Sequence, residues 1–141
     1  MKSKALISCL FLITLLITSC SKESVPPAAE NIIGEWKNTA VYSDPAKGGH
    51  GWETVTRFHE FVTFNPDAKF IFFTDTPAST GTYSFNGSSK DLLLHFEADQ
   101  YGNASRSEIR KVETMTDDKL IVSFVSPGDG MIYKTEYSRI N

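Results

Sequence analysis

The chain has 141 residues, 40% of them hydrophobic and 12% aromatic, with 14 basic against 17 acidic side chains and a formal net charge of −3 at pH 7. That length allows a single modest core, and the acidic balance excludes the basic face that a nucleic-acid partner requires. Only Cys9 and Cys20 carry thiols, which excludes a disulfide-stapled scaffold further along the chain.

Lys2 and Lys4 open the sequence, and residues 5–18 form an almost unbroken apolar run. It is short for a membrane span and the right length for a secretory leader. The run ends in Leu16-Ile17-Thr18-Ser19-Cys20, which resembles the bacterial lipobox, where small residues precede a cysteine that is acylated and becomes the new N-terminus. A thiol is needed there because a thioether to diacylglycerol forms before cleavage. The plainer alternative is an ordinary signal peptide or signal anchor with an unrelated cysteine. On the lipobox reading, residues 1–19 are a lipoprotein signal peptide, Cys20 is the lipidation site, and residues 20–30 are a lipidated cysteine and flexible tether. Acyl chains, palmitate among them, add about 0.8 kcal/mol per buried methylene, so more than one chain gives stable anchoring without a span. Ser21 in place of Asp resembles outer-membrane sorting, so the protein is expected in the cell envelope, lipid-anchored at the outer membrane. Ser21-Lys22-Glu23-Ser24 bears only a slight likeness to surface-export tracts, and both faces of that membrane stay open. Pro26-Pro27 and the scarcity of apolar residues make 21–30 an extended linker.

Residues 31–141 read as one all-β domain. Strand candidates run over 32–43, 52–65, 69–75, 80–86, 91–98, 105–115, 119–126 and 131–140, eight in all. Turn signals separate them about every ten residues: Asn65-Pro66-Asp67-Ala68, Asn86-Gly87-Ser88-Ser89, Thr116-Asp117-Asp118 and Pro127-Gly128-Asp129-Gly130. Leu92, Leu94 and Phe96 mark one inner face, as do Leu120, Val122 and Phe124, Tyr83 and Phe85, and Met131, Tyr133 and Tyr137. Eight short antiparallel strands with one apolar face close most naturally into an up-and-down β-barrel, which leaves no exposed edges. Phe70-Ile71-Phe72-Phe73 breaks the alternation, being apolar on both faces. Either a loop or the tether covers its outer side, or it forms a docking patch for a partner.

Gly34-Glu35-Trp36 at the start of the first strand is similar to the G-x-W signature of lipocalins. Thr116-Asp117 between the sixth and seventh strands resembles their Thr-Asp motif, and Arg139 stands where they carry an arginine over the tryptophan. With the lipobox, the chain resembles the lipocalin-like lipoproteins of Gram-negative bacteria. The resemblance spans 32–140 and implies the eight-stranded lipocalin-like barrel, with Gly34, Trp36, Thr116, Asp117 and Arg139 as structural motif residues. It departs from the full pattern at Asp118-Lys119, where a tyrosine often follows the motif, and there is room for neither a long lid loop nor a long C-terminal helix. A guanidinium over the indole is worth about 0.5–2 kcal/mol, and Gly34 lets the chain pass close beneath the ring.

No pattern points to catalysis, so the protein is not expected to be an enzyme. His95 is out of phase with Leu94 and Phe96. His59 and Glu60 are strand neighbours that point to opposite faces, and His50 sits in the loop Gly48-Gly49-His50-Gly51. No metal and no cofactor is expected. In an up-and-down barrel the loops 44–51, 76–79, 99–104 and 127–130 share one mouth. Trp52 and Tyr101 fall at its rim and are the candidate ligand-binding residues, suited to an apolar or sugar-like ligand; the competing reading is that flexible loops simply collect there. Two functions stand: a barrel that binds a small hydrophobic ligand at its open end, or a filled barrel that docks on an envelope protein partner through a surface such as 70–73. The membrane, reached through the N-terminal lipid, is a partner in either case.

Overall fold

The computed structural model describes residues 31–57, 59–74 and 78–140. Cys20, the leader and the tether lie outside the described residues. The described chain forms nine antiparallel strands: β1 (Gly34–Ser43), β2 (Gly51–Thr54), β3 (Phe61–Phe64), β4 (Lys69–Phe73), β5 (Ser79–Asn86), β6 (Asp91–Phe96), β7 (Arg106–Met115), β8 (Lys119–Val125) and β9 (Ile132–Ile140), with a single 3-10 turn at Pro45–Lys47. From β3 onward each strand pairs with the next, and β9 returns to pair with β1. The sheet therefore closes.

Two strands occupy one position in the ring. The first half of β1 pairs with β3, Gly34 opposite Phe64 to Lys37 opposite Phe61. Its second half pairs with β2, Ala40 opposite Thr54 to Ser43 opposite Gly51. The barrel thus has eight staves, and the single strand expected over 52–65 is corrected to two segments. The break follows from a bulge in β1 between Asn38 and Ala40, which bends that strand sharply. Asn38, buried inside the wall, bridges the gap: its Oδ1 accepts the Glu60 N–H at 2.8 Å, and its own N–H donates to the Glu60 carbonyl at 2.9 Å.

Alternation fills the interior. Trp36, Val62, Phe64, Phe70, Leu92, Leu94, Phe96, Val112, Leu120, Val122 and Tyr137 are all buried, as expected of a strand face that meets no water. Edge-to-face ring contacts join Phe64 to Tyr83 at 4.9 Å and Phe70 to Phe96 at 5.0 Å, adding to burial alone. Of the apolar run at 70–73, Phe70 and Phe72 pack with the core while Ile71 and Phe73 stay about half exposed.

Candidate functional site

The two ends of the barrel differ in chemistry. At one end Ile32 and Trp36 are fully buried, and the indole Nε1 donates to the Ile32 carbonyl at 2.9 Å. The Arg139 guanidinium lies 4.1 Å over the Trp36 ring. Its Nη1 donates to Ile33 O at 2.6 Å, its Nη2 to Asn31 O at 2.7 Å, and its Nε to Asp117 O. One side chain thereby ties the incoming chain, β1 and the β7–β8 turn together. Thr116 closes that turn, accepting the Lys119 N–H at 3.1 Å and donating to Asp118 Oδ1 at 2.7 Å. A Cβ on Gly34 would stand 2.2 Å from Arg139 Nη1, and its φ of +139° also favours glycine. The five motif residues form a plug that seals this end.

Further up the barrel the lining turns polar. On β7, Arg110 pairs across to Leu92, Glu108 to Leu94 and Arg106 to Phe96. These partners are core residues, so the three charged side chains face inward. Glu108 bridges the arginines, with Oε1 3.1 Å from Arg106 Nε and Oε2 3.1 Å from Arg110 Nη2. Side-chain exposure falls from 51% at Arg106 to 34% at Glu108 and 14% at Arg110, so the ladder descends from solvent into the core. Aromatic rings surround it. Arg106 lies 4.1 Å over Phe96, and Arg110 lies 5.7 Å from Phe72 and 6.0 Å from Phe124, which stacks on Tyr133 at 5.3 Å.

Opposite Arg110, the Tyr137 hydroxyl donates to Glu60 Oε1. Burial pushes the Glu60 carboxyl above its ordinary range, with Glu108 adding to the rise, while the Tyr137 hydrogen bond and Arg110 pull it back only in part. Burial likewise pushes the Tyr137 phenol up, so its proton stays on the oxygen. For Arg110, burial opposes the charge but the acidic groups around it outweigh burial, and the guanidinium stays protonated. Its Nε is wholly buried with no hydrogen-bond partner. Arg110 also lines a cavity of about 10 Å³ with Val62, Phe72, Leu94, Val122 and Tyr137.

A larger hollow of about 210 Å³ lies beside the sealed end, between Asn31, Phe85, Lys90, Val112, Glu113 and Met115. It offers no buried polar group to orient a ligand: Lys90 is exposed, and Glu113 is held by Lys134 at 2.8 Å. The polar ladder is therefore the better candidate site.

Trp52 and Tyr101, expected at the rim, both stand at the end opposite the plug, at the start of β2 and in the β6–β7 loop. Trp52 pairs with Tyr42, their rings 5.5 Å apart, and Tyr42 pairs with Lys134, whose ammonium lies 5.5 Å from the Tyr42 ring. Lys134 alternates with the inward Tyr133 and Thr135, so Trp52 lies on the outer wall. Tyr101 is 63% exposed in the 99–103 loop, its hydroxyl accepting from Gln100. The structure brings neither to the cavity, nor to the other. His95 faces out, bonded to Ser107 at 2.9 Å, and His59 Nδ1 lies 3.2 Å from Asn38 O. Among the described residues no three His, Cys, Asp or Glu side chains are grouped to hold a metal.

No family model matches the sequence, and no curated protein matches it. Among solved structures the fold is similar to that of a lipocalin-like protein from Bacteroides uniformis, with a TM-score of 0.57 and 17% identity over 78% of this chain and 99% of that one. The all-β, eight-stave closed barrel is thus of lipocalin-like type.

Proposed function

We propose that this protein is a lipid-anchored binding barrel of the cell envelope, not an enzyme, which takes a small hydrophobic ligand at the end opposite the Trp36 plug. One observation carries this reading: a charged ladder on the inner wall of the barrel, ending in an arginine with an unpaired buried donor. Burying such groups costs several kcal/mol each, and a purely structural barrel of this size is often as stable with apolar residues in their place. The likeness of the fold to a lipocalin-like protein supports it at the level of architecture. Ligand sites usually enclose some 300–1,000 Å³, and the cavity of about 10 Å³ is too small for one, so on this reading the ligand sits in the mouth among Phe72, Phe124 and Tyr133, above the packed lower half.

The same small cavity favours a second reading, a filled barrel that docks on an envelope protein through exposed apolar side chains such as Ile71 and Phe73. Native mass spectrometry separates the two. The soluble chain from Glu23 onward, exposed to extract of its own cells, is expected to carry a reproducible added mass that Phe124→Ser removes. Bare polypeptide under gentle conditions would leave the filled barrel standing.

A further inference from the structure

We propose that the free edge of β2 takes up an extended peptide segment as a further strand, with a basic side chain opposite Glu53 and an apolar one beside Trp52. This stands independently of whether the mouth holds a small ligand. Closure of the barrel leaves one edge open. Among the described residues every other strand has a neighbour on both sides, whereas β2 pairs with β1 alone. Trp52, Glu53 and Thr54 are all exposed. The register tells which backbone groups are open. The Val55 N–H donates to Thr39 O, and bonded positions alternate along an antiparallel ladder. Gly51 and Glu53, of the same parity, therefore turn their groups to Ser43 and Val41 of β1, while Trp52 and Thr54 turn theirs outward. Donors and acceptors repeating about every 6.8 Å along an edge fit the main chain of another strand.

Side chains select the occupant. Neither a proline nor a lysine guards the edge. Glu53 shares the inner face with Val41 and Thr135, and among the described residues no cation lies within ion-pair distance of it. Lys47, on the neighbouring loop, is bonded to the carbonyls of Asp129 and Gly130. A basic residue on the added strand supplies the missing charge. A second copy of β2 paired about Glu53 would instead set two carboxylates face to face, which is unfavourable. On the outer face Trp52 is about half exposed and leans on Tyr42 at 5.5 Å, so its open flank suits an apolar cross-strand neighbour.

The probe is a capped hexapeptide of alternating valine and lysine. It is set against its valine–glutamate counterpart and against the same peptide N-methylated at the valines, whose N–H groups would meet the edge. The described residues close one barrel around its own core, so the soluble chain from Glu23 onward carries the edge. With the valine–lysine peptide at millimolar concentration, amide exchange is expected to slow about fivefold or more at Trp52 and Thr54 and to hold steady at Glu53. The valine–glutamate peptide should bind about fivefold more weakly, and Glu53→Lys should reverse that order. Unchanged exchange at Trp52 and Thr54 defeats the proposal. Equal binding of the N-methylated peptide would also overturn it, because side chains alone would then be held. So would protection of both amides without peptide that deepens with protein concentration, since a second copy would then occupy the edge. Thr54→Pro removes one outward donor and no bond to β1, and is expected to cancel the protection at Trp52. Where that variant fails to fold, the N-methylated peptide on the wild type decides.

Discussion

At Gly34 a single hydrogen decides whether the plug can form. A methyl there would meet Arg139 Nη1 at 2.2 Å, and the guanidinium cannot retreat without releasing Ile33 O, Asn31 O and the Trp36 ring. Gly34→Ala is expected to lower stability by about 1–3 kcal/mol, and Trp36→Ala by about 3–5 kcal/mol, both read as shifts of the urea midpoint. A Trp36→Ala protein that kept its midpoint and lost only ligand would contradict the structural role. Glu60 makes a different prediction. Its carboxyl is raised from 4.5 by burial, so the folded state holds that proton more tightly than the unfolded state does. Its contribution is fully present below about pH 4.5 and is lost as pH rises through the folded value. Urea midpoints from pH 4 to 8 should fall over that window in the wild type, and Glu60→Gln, which still accepts from Tyr137, should remove the fall. Asp91 and Asp99, lowered by their hydrogen bonds to Lys111 and Asn103, act in the opposite direction, their small contribution being lost as pH falls.

Among the elements, β1 governs the shape of the barrel because it pairs with three other strands. Its bulge beside Asn38 is braced by the bond from the Glu60 N–H to Asn38 Oδ1. Asn38→Ala leaves that N–H without its acceptor, at an expected cost of about 1–3 kcal/mol. Amide hydrogen exchange should quicken at Glu60 and Phe61 while β7 and β8 stay protected; a uniform rise across all strands would refute a local brace. The bulge also marks where sequence patterning stops informing. Seven of the eight expected strands lie close to their places, because turn residues and alternating leucines or aromatics bound them clearly. Over 52–65 the apolar alternation runs on through the break, and the cause of the break lies in a different strand. The ladder was hidden for a related reason. In Arg106-Ser107-Glu108-Ile109-Arg110 the charges alternate as on a solvated face, yet they line the interior, while Ile109 is 66% exposed. A cue was present in Val112, which shares their parity and belongs to the core. Trp52 was placed from its position after the 44–51 loop, and its outward orientation was not legible there because the β1 bulge reverses which side chains of the following pairs face inward. The plug, by contrast, was legible down to the Trp36–Arg139 contact, since its residues sit at strand ends where short motifs survive.

At the scale of the whole molecule, the plug also fixes where the tether enters. Arg139 holds the carbonyls of Asn31 and Ile33 at the sealed end, and the mouth with Arg106 and Phe124 lies at the other. Cys20 precedes Asn31 by 11 residues, a reach of at most about 40 Å when fully extended. An anchor at Cys20 would join the barrel at its closed end. Two chemically separate halves should result. Cys20→Ser is expected to move the protein from the washed membrane pellet to the soluble fraction and to abolish incorporation of labelled palmitate. Its thermal midpoint should match that of the lipidated form, because the described residues close one barrel around its own core. Wild-type protein that takes up no label would refute lipidation at Cys20. A lipidated form that alone binds ligand would instead show that binding needs the membrane.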